Sequence, residues 1–71
     1  SFATASRSAF LGQSGTVEMD LRPSGKVRIG SELVDVVSEG GYVEKGSHVS
    51  VIRVEGARIV VRATTTEDGT V

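Results

Sequence analysis

Alternating apolar and polar residues predict a β-hairpin over residues 17–29. Apolar positions separated by single acidic residues, and later by single basic residues, form the period-two pattern of strands with one buried face. Pro23-Ser24-Gly25 interrupts the alternation, and this run suits a connection because proline fixes φ and glycine accepts a positive φ. The alternating apolar positions are Val17, Met19, Leu21, Val27 and Ile29.

A third strand is predicted at 32–38, after a tight turn at Gly30-Ser31. Four of its residues are apolar and do not alternate cleanly, so we expect a strand that is covered on both faces or carries a bulge. These residues are Leu33, Val34, Val36 and Val37.

Two more strands are predicted at 48–55 and 58–63. The first changes phase midway, which indicates a bulge or a barrel corner, with Val49 and Val51 on one face and Ile52 and Val54 on the other. Gly56-Ala57 then matches a two-residue type II′ turn. The inward residues of the last strand are expected to be Ile59, Val61 and Ala63.

Five short strands without helical periodicity predict an all-β fold. We expect a small five-stranded OB-fold (Greek-key) barrel with no substantial helix, and an SH3-like barrel is the second choice. An open sheet of this size would leave unpaired edges. The predicted domain is 13–63, between a partly disordered linker or artificial extension at 1–12 and a polar tail at 64–71. The expected core is Val17, Met19, Leu21, Val27, Ile29, Val36, Val49, Val51, Ile59 and Val61.

Two apolar residues precede the barrel, Phe10 and Leu11. They either cap one end of the core or face a segment outside this chain, and the sequence leaves both alternatives open.

Composition narrows the classes of protein. A chain of 71 residues has room for one domain, and the lack of cysteine excludes disulfides and thiolate metal sites. The net charge of −1 comes from interleaved acidic and basic residues, which is typical of a solvated surface. No apolar run approaches the roughly 20 residues of a membrane helix, and no signal peptide is recognisable. The first residue is Ser1, which is consistent with a piece of a longer protein.

No residue set predicts catalysis, a cofactor or a metal. Serine–lysine dyads exist, but Ser24 with Lys26 and Ser47 with Lys45 are ordinary turn neighbours. His48 is the only histidine, so neither a histidine-based triad nor a multi-histidine metal site can form.

The paired carboxylates of the first strand, Glu18 and Asp20, are interpreted as a surface ladder. We expect them to lie opposite Lys26 and Arg28 on the second strand, where the charges complement each other.

Two other kinds of small β domain share features of this sequence, namely nucleic-acid-binding OB-folds and biotinyl or lipoyl carrier domains. OB-folds often bind single-stranded nucleic acid through aromatic residues in a basic groove, but the predicted strands carry no aromatics, so we expect no nucleic acid. The run 41–46, with Gly40 before it, has the Gly-x-x-Val-x-x-Gly spacing of biotinyl and lipoyl carrier domains. The hairpin tip at 55–58 lacks their acceptor lysine, so we expect no carrier role.

Several motifs resemble the C-terminal soluble domain of the NfeD family, over about residues 12–62. The most specific are the Asp-Leu-Arg-Pro-Ser-Gly run and the Val-Glu-Gly-x-Arg hairpin. The matching stretches are Gly15-Thr16-Val17, Asp20-Leu21-Arg22-Pro23-Ser24-Gly25-Lys26-Val27, Tyr42-Val43-Glu44-Lys45-Gly46 and Val54-Glu55-Gly56-Ala57-Arg58-Ile59-Val60-Val61.

The resemblance implies an OB-fold domain that follows transmembrane helices, lies in the aqueous phase on the cytoplasmic side, and acts in membrane protein quality control. It implies stomatin- or flotillin-like membrane partners, no catalysis, and no small-molecule ligand. Two alternatives are a fragment of a long-form, ClpP-class membrane-bound serine protease and an oligonucleotide-binding module.

The loop 39–47 is the predicted partner contact, because glycines display polar and aromatic residues there on a rigid barrel. The candidate contact residues are Tyr42, Glu44 and Lys45. Tyr42 could instead fold back over the barrel end, and Val43 is expected to point into the core.

Overall fold

Five β-strands close into a barrel in the computed structural model, which describes residues 9–64. No helix occurs between residues 14 and 64. Most of the predicted linker at 1–12 and tail at 64–71 lies outside the described residues, namely 1–8 and 65–71. The strands are β1 Ser14–Met19, β2 Ser24–Ile29, β3 Glu32–Ser38, β4 His48–Glu55 and β5 Arg58–Ala63.

The strand order confirms the predicted OB-fold barrel. Neighbours follow the order β1-β2-β3-β5-β4, and β4 returns to β1. All neighbours are antiparallel except β3 and β5, which pair in parallel at Val37↔Val60 and Ser38↔Val61. The long connection 39–47 carries the chain across the barrel between β3 and β4, which gives the Greek-key path.

The barrel interior is aliphatic. Nine of the ten expected core residues are buried, and Val43 points inward as expected. Val34 and Val60 are buried as well, beyond the expected set. Among the described residues, the buried apolar set is Val17, Leu21, Val27, Ile29, Val34, Val36, Val43, Val49, Val51, Ile59, Val60 and Val61.

Met19 is the expected core residue that the structure contradicts, since it is 56% exposed. Val17 lies opposite Val27, but Met19 lies opposite Lys26, so the register shifts between the two β1 residues. The resulting bulge inserts one residue and turns the Met19 side chain outward.

The predicted irregularity in β3 is also wrong. β3 pairs with β2 without a shift from Ile29↔Glu32 to Ser24↔Val37. Its inward positions are Val34, Val36 and Ser38, while Leu33 and Val37 lie on the outer face. Leu33 is 50% exposed, so two of the four apolar residues do not belong to the core.

The phase change in β4 is confirmed as a register shift between Val51 and Arg53. One detail differs, because Val54 packs against the core instead of facing away with Ile52. The extra residue of the bulge moves the inward-facing positions from odd to even residue numbers. Val54 therefore faces the same side as Val49 and Val51 and lies opposite the buried Ile59.

The hairpin between β4 and β5 follows the turn prediction. Gly56 has a φ of 62°, and no residue other than glycine has a positive φ among those described. This combination fits a turn with glycine at its first central position. At the other end of β5, Ala63 lies opposite Val49 but is exposed, because it is the last residue of the strand.

Phe10 packs against the core and is partly buried. Leu11, the next residue, is exposed. The structure therefore gives the capping role to Phe10 alone.

Candidate functional site

The predicted contact loop 39–47 is fastened to the connection between β1 and β2. Leu21 and Val43 form an isolated antiparallel bridge, in which Leu21 N donates to Val43 O at 2.8 Å and Val43 N donates to Leu21 O at 3.0 Å. Both side chains are buried. Because neighbouring residues of an extended segment point to opposite sides, the residues flanking this bridge face outward together.

Asp20 joins the two segments through its carboxylate. Oδ1 accepts a hydrogen bond from the backbone N of Lys45 at 2.7 Å, and Oδ2 accepts one from Tyr42 Oη at 3.1 Å. Arg22 Nη2 lies 3.5 Å from the same Oδ2. One short side chain therefore fixes the positions of both a loop backbone and an aromatic ring.

These contacts shift the pKa values of both partners. The hydrogen bond from the Lys45 backbone, together with those from Tyr42 and Arg22, lowers the pKa of Asp20 despite partial desolvation. The hydrogen bond to Asp20 raises the pKa of the Tyr42 phenol. At neutral pH Asp20 is charged and Tyr42 carries its proton, which is the combination that the hydrogen bond requires.

Tyr42 is 60% exposed and does not cover the core. The Arg22 Cζ atom lies 5.9 Å from the centre of its ring, within the range of a cation–π contact. The ring is therefore held at its hydroxyl by Asp20 and flanked by a guanidinium, while much of its surface faces solvent. We name this region the Tyr42 surface, and it consists of Asp20, Arg22, Tyr42, Glu44 and Lys45.

The structure brings two of the three predicted contact residues onto Asp20. Tyr42 binds it through the hydroxyl, and Lys45 binds it through its backbone, so the Lys45 ammonium is not part of that bond. Glu44 lies between them with an exposed side chain, and its carbonyl accepts a hydrogen bond from Ser47 N at 3.1 Å.

The beginning of the loop is also fixed. Glu39 accepts two hydrogen bonds from Arg62 of β5, from Nε at 2.8 Å and from Nη2 at 3.3 Å. This charged contact lowers the pKa of Glu39. The loop that displays Tyr42 is thus fastened near its start by Glu39 and near its end by Asp20.

Sequence reasoning missed Asp20 and Arg22 as parts of this region. The expected ladder is confirmed between Glu18 Oε2 and Arg28 Nε at 3.0 Å, but Lys26 pairs with Asp35. Asp20 lies beyond the end of β1 and turns toward the loop instead. A carboxylate immediately after a strand was the available signal, since aspartate there often accepts backbone N–H groups.

The residues considered for catalysis make the following contacts among residues 9–64. Lys26, the proposed partner of Ser24, donates to the Asp35 carboxylate instead. Ser47 donates its backbone N–H within the loop, and His48 is exposed at the start of β4. Across residues 9–64, no three histidine, aspartate or glutamate side chains are grouped to hold a metal.

Asp20→Asn is expected to destabilise the domain at pH 7, and this difference from the parent protein should shrink as the pH falls. The pKa of Asp20 lies below its ordinary value of 3.8, so the charged form stabilises the fold above that pH. The contribution is lost as the pH falls through the lower folded-state pKa. Urea unfolding at pH 7 and at acidic pH measures it.

The matched control for that measurement is Glu32→Gln. This carboxylate begins β3, is exposed, and accepts no side-chain hydrogen bond in the described part of the chain. A difference between parent and Asp20→Asn that stays constant with pH would contradict the charged role of Asp20.

No helix among the described residues is long and apolar enough to span a bilayer. Comparison with known proteins adds the family context. Residues 7–62 match the model of the NfeD-like C-terminal, partner-binding domain. The membrane protein NfeD1b of Bacillus subtilis (strain 168) is 54% identical over 56 residues, which are 79% of this chain but 13% of that protein.

Two solved structures share the fold. The C-terminal domain of stomatin operon partner protein 1510-C from Pyrococcus horikoshii matches with a TM-score of 0.77 and 30% identity, covering 83% of this chain and 94% of that one. The soluble domain of a membrane protein implicated in regulation of membrane protease activity, from Corynebacterium glutamicum, matches with a TM-score of 0.69 and 28% identity, covering 78% and 92%. The family match spans most of the chain and the fold agrees, so this protein belongs to the NfeD family and contains its C-terminal, partner-binding domain.

Proposed function

We propose that this chain is the non-catalytic, partner-binding part of a membrane-anchored protein and that its Tyr42 surface contacts a stomatin- or flotillin-like membrane protein. The domain would meet its partner in the aqueous phase on the cytoplasmic side. The observation that carries the proposal is an exposed tyrosine whose hydroxyl is fixed by Asp20 at 3.1 Å.

The physical basis is the low entropic cost of using a side chain that is already positioned. Tyrosine and arginine are enriched among the residues that dominate binding energy at protein interfaces. Ordering a free side chain on binding costs about 0.5–1.5 kcal/mol. Asp20 has restrained Tyr42 and Arg22 beforehand, which lowers that cost.

The relatives support the class of partner. One of the similar structures is described as a stomatin operon partner protein, and another as a membrane protein implicated in regulation of membrane protease activity. We therefore propose that the contact serves membrane protein quality control, with the catalytic work done by another protein or domain.

Tyr42→Ala in the full-length protein is expected to weaken binding to a purified stomatin-like membrane protein by at least tenfold, as expected for an anchoring aromatic. The urea midpoint of the domain should stay close to that of the parent protein, since an exposed ring is removed with one hydrogen bond and one cation–π contact. Binding is measured by titration in detergent or nanodiscs, and stability by urea unfolding.

The matched control is Leu11→Ala, which removes a side chain of comparable exposure from the turn before β1, outside both the Tyr42 surface and β3. It should leave binding unchanged. Equal affinities for Tyr42→Ala and the parent protein would remove the Tyr42 surface from the proposal.

A further inference from the structure

An open seam separates the first halves of β3 and β5. Their parallel pairing begins at Val37↔Val60. The same register would pair Val36 with Ile59 and Asp35 with Arg58, but neither pair forms in the described residues. Over residues 32–36, β3 therefore has β2 on one side and, among residues 9–64, no strand neighbour on the other.

A groove lies along this seam, below the β4–β5 hairpin. Its floor contains the buried side chains of Val36 and Ile59 and the partly buried Val37, so it is apolar at its centre. Its wall on the β2 side is formed by Ser24 and Gly25. The full lining is Ser24, Gly25, Asp35, Val36, Val37, Ala57, Arg58 and Ile59.

The uncompensated charge in the groove is positive. Asp35 is neutralised by Lys26. Arg58 makes no ion pair or side-chain hydrogen bond within the described part of the chain, although Glu55 lies opposite it across the hairpin. Glu55 is engaged by Arg53 at 2.8 Å. Among residues 9–64, Arg58 is thus the groove's cation without a charged partner.

We propose that this seam binds an extended peptide segment of a partner protein, which pairs its backbone with the open edge of β3 and places a carboxylate against Arg58. An unpaired strand edge is a template for an added strand, and pockets beside it select the alternating side chains. A guanidinium recognises a carboxylate through charge-assisted hydrogen bonds. The seam shares no residue with the Tyr42 surface, so the inference goes beyond the function proposed above.

Peptide is favoured over nucleic acid by the same residues. Single-stranded nucleic acid needs stacking aromatics and several cations, whereas the groove has no aromatic residue and one unpaired cation. Two sources of the carboxylate share this chemistry, an acidic side chain and the C-terminus of a peptide.

The test is an NMR titration of the ¹⁵N-labelled 71-residue chain with the capped peptide acetyl-Thr-Val-Glu-Val-Thr-amide. Binding is expected with a dissociation constant of about 1 mM or tighter, as suits a short peptide. The amides that shift should be those of residues 33–37 and 58–59. Arg58→Gln should weaken binding at least fivefold, while the control Arg28→Gln, which lies outside the groove, should not change it.

Three peptide variants separate the parts of the proposal. Replacing the glutamate by glutamine should reproduce the loss seen with Arg58→Gln. N-methylation of alternate backbone amides should abolish binding, because strand pairing needs those N–H groups. A glutamine peptide with a free C-terminal carboxylate should regain affinity if the terminus is the source recognised, and should stay weak if an acidic side chain is.

Several results would overturn the inference. They are no shifts at ~1 mM peptide, shifts elsewhere on the barrel, full affinity of the N-methylated peptide, or no effect of Arg58→Gln. If the amides at the seam shift with protein concentration in the absence of peptide, the seam binds a second copy of this chain and not a partner's peptide. Tighter binding of an oligothymidine to the same amides would assign it to nucleic acid. None of these results bears on Tyr42, so the two proposals fail independently.

Discussion

Leu21→Ala is expected to destabilise the domain by about 2–5 kcal/mol, the range for truncating a fully buried leucine. Leu21 is 0% exposed, and its backbone forms the bridge that fastens the contact loop to the barrel. A domain of this size has a total stability of roughly 4–10 kcal/mol. The variant should therefore show a large fall in its urea midpoint, or be unfolded in part without denaturant.

Leu33→Ala removes the same atoms from a half-exposed position on the outer face of β3 and serves as the control. It should change the free energy of unfolding by less than about 1 kcal/mol. Equal losses from the two variants would contradict the assignment of Leu21 to the core and of Leu33 to the surface.

Gly25→Ala is expected to cost about 2–3 kcal/mol, at the upper end of the range for overpacking. An added Cβ would lie 2.5 Å from the carbonyl O of Asp20, 2.7 Å from that of Met19, and 2.7 Å from Leu21 Cδ2. Two of these three atoms belong to the backbone and cannot move aside by a change of rotamer. Thermal or urea unfolding measures the cost.

Gly40→Ala is the matched control, since no atom lies within 4 Å of the Cβ it would add and its φ is not positive. It should be neutral or stabilise by about 0.4–1 kcal/mol through a less flexible unfolded chain. If Gly25→Ala is tolerated as well as Gly40→Ala, the close approach of the β1–β2 connection to β2 is wrong.

The five strands could be predicted from the sequence because turn-forming residues separate them. Gly30 and Gly56 stop the alternation where the structure turns, and both have positive φ. The predicted connection Pro23-Ser24-Gly25 is only partly right, because Pro23 precedes β2 whereas Ser24 and Gly25 lie within it and Gly25 has no positive φ. Closure into a barrel was expected because an open sheet of five short strands would leave unpaired edges and one apolar face in water.

Individual faces were harder to predict where a bulge intervenes. A single inserted residue in β1 reverses Met19, and a second in β4 restores Val54 to the core. In β3 the error was the opposite, because a regular strand carries two apolar residues on its outer face. Two consecutive apolar residues in a strand fit either a bulge or a regular strand with one apolar side chain on its outer face. The register with the neighbouring strand is needed to distinguish the two.

The sequence predicted the contact loop, but it did not predict the residues outside the loop that hold Tyr42 in place. Tyr42 and its neighbours stand between glycines, which is visible in the sequence. Asp20 is 22 residues from Tyr42 and 25 from Lys45. The Leu21↔Val43 bridge and the backbone hydrogen bonds between Val17 and the end of the loop bring them together. Non-local hydrogen bonds of this kind have no signature in the local pattern.

The proposed function requires that the Tyr42 surface contacts the partner protein. The most direct measurement is an NMR footprint, in which the ¹⁵N-labelled domain is titrated with the soluble region of a stomatin-like membrane protein. We expect the shifts and line broadening to centre on Arg22, Tyr42 and Lys45. A footprint confined to the seam around Arg58, or to any surface that leaves Tyr42 unperturbed, would contradict the claim.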